Sequence, residues 1–90
     1  KHILLPDVLP EKAVWTVSED EIDDNGHLNN VHYIHHAEAL CPDCNCLEVI
    51  YDRECFAGEQ LRLQERDGFV RGVKENGEES FRARFWKEEI

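Results

Sequence analysis

Two dipeptides near the C-terminal end, Asp67-Gly68 and Asn76-Gly77, constrain this chain more than any other feature. Each is a strong hairpin signal. A two-residue type I′ turn takes positive φ at both central positions, and Asp, Asn and Gly adopt that conformation at the least cost. The two signals divide the last third of the chain into three strands, at about 59–66, 69–75 and 78–87. Leu61 and Leu63 mark the buried face of the first. Phe69, Arg71 and Val73 share one face of the second. In the third, Phe81, Ala83 and Phe85 alternate with Arg82, Arg84 and Trp86. An antiparallel sheet of this kind has one apolar face that must be covered by another element.

The rest of the chain supplies that cover. In "AVWTVSEDEID", Ala13, Trp15 and Val17 alternate with Val14, Thr16 and Ser18, which predicts a further strand. "NNVHYIHHAEALC" has helical periodicity, with Asn30, Tyr33, Ile34, Ala37, Leu40 and Cys41 on one stripe. Asn29 or Asn30 suits the N-cap, and Pro42 closes the helix. "CLEVIYDREC" alternates again, with Leu47, Val49 and Tyr51 on one face. The expected order is β-α-β-β-β-β, an α+β chain. Only the single helix can cover four consecutive antiparallel strands, and a sheet wrapped around one central helix is the hotdog architecture. Residues 1–12, with two prolines, read as an extended linker, and 13–90 as one hotdog domain.

A chain of 90 residues is of single-domain size. Its net charge of −10, from 20 acidic and 10 basic side chains, argues against a nucleic-acid partner, because no cationic stripe is available for phosphates. No apolar run approaches the ~18 residues of a membrane span, and no secretory pattern opens the sequence. The start at Lys1 and the lack of Met raise the expectation of a longer parent chain. Cys41, Cys44 and Cys46 cluster, but the composition is unlike a small disulfide scaffold, so reduced thiols and a cytoplasmic setting are expected.

"EIDDNGHLNN", just before the helix, holds more hydrogen-bonding side chains than a helix start needs. Capping accounts for one asparagine and the turn for Gly26; Asp23, Asn25 and His27 remain. Read one at a time, Asp23, Asn25 and Asn29 are turn and cap residues and His27 a packed or solvent-facing histidine. The stretch "DDNGHLNNVHYI" resembles the D-x-N-x-H-x-N-N-x-x-Y signature of acyl-acyl-carrier-protein thioesterases, and "YDREC", at 51–55, resembles that family's Y-x-R-E-C segment. The likeness runs from about Ala13 to Glu88. It implies the second, catalytic hotdog of a two-hotdog protein. "CPDCNC" is shorter than the family's connection between helix and strand.

The resemblance implies a catalytic group of Asp23, Asn25, His27 and Glu54. Either Glu54 or Asp23 would activate water, while His27 and Asn25 orient substrate and water. Backbone amides at the helix start suit a developing oxyanion. Cys55, Asn29 and Asn30 are further candidates. Cys55 could form an acyl-enzyme with a histidine. However, neighbours on a strand face opposite ways, and Cys55 shares parity with Leu47, Val49 and Tyr51, which makes it a small buried hydrophobe. Tyr33 and Trp15 are read as core or acyl-pocket lining. His32 and His36 stand i, i+4 on the helix near three thiols, but Cys41-x-x-Cys44-x-Cys46 lacks a second spaced pair, so neither metal nor cofactor is expected. The implied reaction is hydrolysis of a fatty acyl thioester on acyl carrier protein, with a second hotdog, fused or as a homodimer twin, completing the site. The alternatives are an acyl-coenzyme A thioesterase built as a homo-oligomer of single hotdogs, and a non-catalytic module that binds acyl groups or dimerises.

Overall fold

A computed structural model describes residues 2–89. The strands are β1 (Glu11–Thr16), β2 (Cys46–Tyr51), β3 (Gln60–Arg66), β4 (Phe69–Lys74) and β5 (Glu79–Trp86). A 3₁₀ turn (Glu19–Glu21) and helix α1 (Asn30–Glu38) lie between β1 and β2. All pairings are antiparallel and form one sheet in the order β1-β3-β4-β5-β2. This is the expected order of elements and the hotdog arrangement of one sheet with one helix. β1 opens at Glu11, inside the segment read as linker, and Ile3 is buried, its carbonyl accepting from Arg82 Nη1 at 2.8 Å. The outer ends of the two expected segments, Lys1 and Ile90, lie outside the described residues.

The first hairpin is a true two-residue loop. Arg66 pairs with Phe69, and Asp67 (φ 51°) and Gly68 (φ 87°) both take positive φ. A Cβ on Gly68 would stand 2.3 Å from the Phe85 carbonyl oxygen, so the position excludes every other residue on two grounds. The second hairpin differs from expectation. Only Gly77 has positive φ (89°), and the loop is closed between Lys74 and Glu78 by a 2.8 Å backbone bond. Asn76 instead directs its side-chain oxygen to the Glu78 N–H at 2.9 Å, the local bond that suits Asn to turns.

The core gathers on one sheet face. Leu61 and Leu63 from β3, Val70 from β4, and Phe81, Ala83 and Phe85 from β5 meet Tyr33 and Ala37 of α1. On β4 the face holding Phe69, Arg71 and Val73 is turned from this cluster; Val70 and Gly72 face inward, and Gly72 leaves room for the Phe81 ring, which a Cβ there would meet at 2.4 Å. Asn29 is the N-cap of α1, its Oδ1 accepting from Val31 N–H at 3.1 Å. The helix stops at Glu38, short of Pro42, and Cys41 reaches the core from the following turn. β2 is an edge strand, which leaves Leu47 and Tyr51 more than a third exposed. It ends at Tyr51, so Glu54 and Cys55 sit on the loop after it and not on a strand as the alternation suggested. Among the described residues no helix is long and apolar enough to cross a membrane.

Candidate active site

The polar loop ahead of α1 is closed by an isolated bridge between Ile22 and Leu28 and by the Asp23 N–H bond to the His27 carbonyl at 2.9 Å. Gly26 turns the chain at φ 79°. Within the turn one carboxylate oxygen, Asp23 Oδ1, accepts from the N–H groups of both Asn25 and His27 at 3.0 Å. A charged acceptor on two amides is a strong local clamp. Leu28, 4% exposed, anchors the far side of the loop in the core. The result is a rigid projection that carries the His27 imidazole outward, with Asn25 exposed at its tip.

His27 Nδ1 is hydrogen-bonded to Glu54 Oε1 across 27 residues of sequence. The Glu54 hydrogen bond and charge, helped by Asp23, raise the His27 pKa above its ordinary value. His27 is therefore biased towards imidazolium. Both side chains stay solvent-accessible, at 60% and 39%, so water reaches them. They stand at the mouth of a groove of about 280 Å³ lined by His27, Leu28, Asn30, Tyr33 and the run from Tyr51 to Glu54. Chemically, this is a carboxylate able to take a proton from water, next to a cationic donor, beside a cleft that opens at the first turn of a helix.

The remaining candidates fall into place around that pair. Asn29 caps α1, while Asn30 lines the groove and its carbonyl faces the Tyr51 hydroxyl at 3.4 Å. Tyr33 reaches the groove, and its hydroxyl accepts the Cys55 N–H at 3.2 Å; burial pushes its pKa to about 12, so it stays a neutral phenol. Trp15 stands away from the groove, stacked on His36 at 4.0 Å and bonded through Nε1 to Glu21 Oε1. Cys55 is wholly buried, its sulfur 3.2 Å from Ser80 Oγ. Tyr51, Asp52 and Arg53 line the groove without having been singled out; the signal was their place in the "YDREC" segment. His32 and His36 converge on Glu21 and not on the cysteines, and the described residues hold no cluster suited to a metal ion. Burial holds the Cys41 thiol at about 11.

Neither a protein-family model nor a curated protein matches the sequence. Solved structures do match in fold. An acyl-ACP thioesterase from Bacteroides thetaiotaomicron superposes with a TM-score of 0.78 at 24% identity, over 96% of this chain and 42% of that one. The 12:0-ACP thioesterase from Umbellularia californica gives 0.71 at 24% identity, over 96% of this chain and 38% of that one. The hypothetical protein SAV2348 from Staphylococcus aureus, solved in complex with CoA, gives 0.71 at 15% identity, over 84% of this chain and 74% of that one. The chain thus shares the fold of these proteins and spans less than half the length of the two ACP thioesterase chains.

Proposed function

We propose that this chain is the catalytic hotdog of a thioester hydrolase that releases a fatty acid from acyl carrier protein. The observation that carries the reading is the direct bond between His27 and Glu54, which joins the two separate sequence motifs at the mouth of one groove. The Glu54 carboxylate takes a proton from water, and the water oxygen attacks the thioester carbonyl carbon. The imidazolium of His27 and the positive end of α1, where Asn30 lines the groove, stabilise the oxyanion. When the tetrahedral adduct collapses, the C–S bond breaks and the leaving thiolate takes a proton from the His27–Glu54 pair. Asp23, already occupied by two backbone amides, is better suited to holding the loop than to acting as base, and buried Cys55 to packing than to attack. A second hotdog, fused or contributed by a twin chain, forms the other wall of the acyl site.

A coenzyme A thioester is the second reading. Its support is the fold shared with a protein solved in complex with CoA, together with the −10 charge of this chain, which repels an acidic carrier protein. Hydrolysis assays over acyl-ACP and acyl-CoA substrates of several chain lengths, with E54A and H27A alongside, test both. Acyl-ACP turnover abolished in E54A supports the first reading, and turnover of acyl-CoA alone supports the second. If the wild-type chain is inert on every substrate, both fail and a non-catalytic acyl-binding module stands; if wild-type and E54A chains are equally active, the role given to Glu54 fails.

A further inference from the structure

The segment from Asp52 to Glu59 has no regular secondary structure, yet its main chain is tied down along its length. At its far end Gly58 N–H donates to the Val17 carbonyl at 2.8 Å and Val17 N–H to the Glu59 carbonyl at 2.9 Å. At its near end nearly every bond goes to one residue. Along β5, Phe81 pairs with Gly72 and Glu79 pairs with Val73, so Ser80 is the extra residue of a β-bulge. The bulge lets two successive side chains, Ser80 (1% exposed) and Phe81 (0%), both point inward, which the alternation of a regular strand forbids. The Ser80 carbonyl accepts the N–H groups of Asp52 at 2.8 Å and Arg53 at 3.1 Å. Its hydroxyl donates to the Arg53 carbonyl at 2.7 Å. That uses its only hydrogen, so the Cys55 thiol is the donor in the 3.2 Å contact between the two side chains.

These bonds bracket Glu54. Arg53 before it is fixed by Ser80 on both its N–H and its carbonyl. Cys55 after it is fixed by the Ser80 hydroxyl and the Tyr33 hydroxyl. The Glu54 carbonyl itself accepts from Lys74 Nζ at 3.0 Å, and Lys74 is held in turn by Glu59 at 3.1 Å. From this pinned main chain the Glu54 side chain projects onto His27. We propose that Ser80 is a positioning residue: the β5 bulge turns its hydroxyl and carbonyl onto the 52–55 main chain and thereby holds the Glu54 carboxylate against His27. The catalytic consequence rests on the hydrolase reading above; the positioning itself does not. An alanine here removes the donor to the Arg53 carbonyl and the acceptor of the Cys55 thiol in a site closed to replacement water, which loosens the loop at the residue before the carboxylate.

The test reads the His27–Glu54 bond directly, by following the His27 ring through a pH titration with NMR in the wild-type chain, E54Q and S80A, with the amide spectrum of each variant as the check on folding. E54Q sets the endpoint, with His27 at about its ordinary 6.5. S80A is expected to lower the His27 pKa from the wild-type value towards that endpoint. A folded S80A with His27 titrating as in wild type overturns the proposal. Should S80A not fold, S80C is read in its place under a reducing agent that keeps it from pairing with Cys55, since a thiol fills the position but donates weakly; a lowered His27 pKa supports the proposal and an unchanged one overturns it. A kinetic arm separates this idea from the hydrolase reading. S80A is expected to lower kcat roughly 10–100-fold with little change in KM. A wild-type protein that hydrolyses no acyl thioester with its second hotdog present defeats the hydrolase reading and leaves the titration result to decide the role of Ser80.

Discussion

His27 and Asp23 illustrate how one loop divides its labour. Asp23 Oδ1 shapes the turn through two backbone amides, and the shape delivers His27 to Glu54. D23A should therefore destabilise the fold by about 1–3 kcal/mol, because two amides lose a charged acceptor, while D23N, which keeps a carbonyl oxygen at the same place, should recover most of that loss in urea melts. The raised His27 pKa has its own signature. A histidine whose pKa is higher in the folded chain contributes stability in full below its unfolded pKa of about 6.5 and loses it as pH rises through the folded value. The stability gap between wild type and E54Q should be widest at about pH 5–6.5 and should close above the folded His27 pKa; a gap that grows with pH would contradict the pair. The motif spacing identified Asp23, Asn25 and His27 as a group. It did not separate the residue that shapes the turn from the residue that faces the groove, because an Asx turn and a catalytic loop need the same polar residues at the same short spacings.

At the level of elements, the two hairpins make a controlled comparison. Gly68 and Gly77 both have positive φ, but a Cβ on Gly68 meets the Phe85 backbone and one on Gly77 meets nothing within 4 Å. G77A should cost about 1–2 kcal/mol for the backbone conformation alone, and G68A should cost more by the added clash, about 1–3 kcal/mol, as read from urea midpoints of the two variants. The sequence signal located both turns, yet it could not tell that Asn76 keeps negative φ, since the same Asn-Gly pair suits a two-residue type I′ turn and a longer loop closed by a local bond from Asn76 to Glu78. The 3₁₀ turn carries another unread feature. Glu21 accepts from Trp15 Nε1 at 3.1 Å, Ser18 N–H at 2.9 Å and His36 Nε2 at 2.9 Å, tying β1 to α1. These bonds to Ser18, His36 and Trp15 outweigh the opposing effect of burial and leave the Glu21 pKa lowered. E21A should leave the Trp15 indole N–H unpaired and destabilise by about 1–3 kcal/mol. In "SEDEID" the S-x-x-E spacing of Ser18 and Glu21 is a capping-box signature that marks Glu21 off from its acidic neighbours, but it does not contain the bonds to Trp15 and His36.

For the molecule as a whole, charge is the property with the clearest functional consequence. With a net charge of −10, this chain would, on the proposed reading, meet an acidic carrier against a repulsion that salt screens. On the proposed reading, kcat/KM of this chain for acyl-ACP should rise between low and moderate ionic strength, while turnover of an uncharged short thioester should stay nearly flat. A fall with salt would point to a local cationic docking patch outweighing the global field. The exposed flank of the groove, where the Tyr51 hydroxyl of the edge strand β2 faces the Asn30 carbonyl of α1, is where a second hotdog would close the acyl site on this proposal.

The sequence by itself determined the order of elements, the positions of the two turns, the core faces of β3 and β5, and the two motifs that meet at the groove. Each of these is a local pattern: a period of two or 3.6, or a φ that few residues tolerate. Tertiary structure alone decided the rest. The Ser80 bulge, the inward face of β4, and the placing of Glu54 on a loop rather than a strand all depend on where β2 leaves the sheet and how Phe81 packs over Gly72. The separation of Trp15 from the groove depends on the stacking of its ring on His36, a contact between elements. A pairing register between distant strands is set by the packing of both partners together, and no single stretch of the chain contains it.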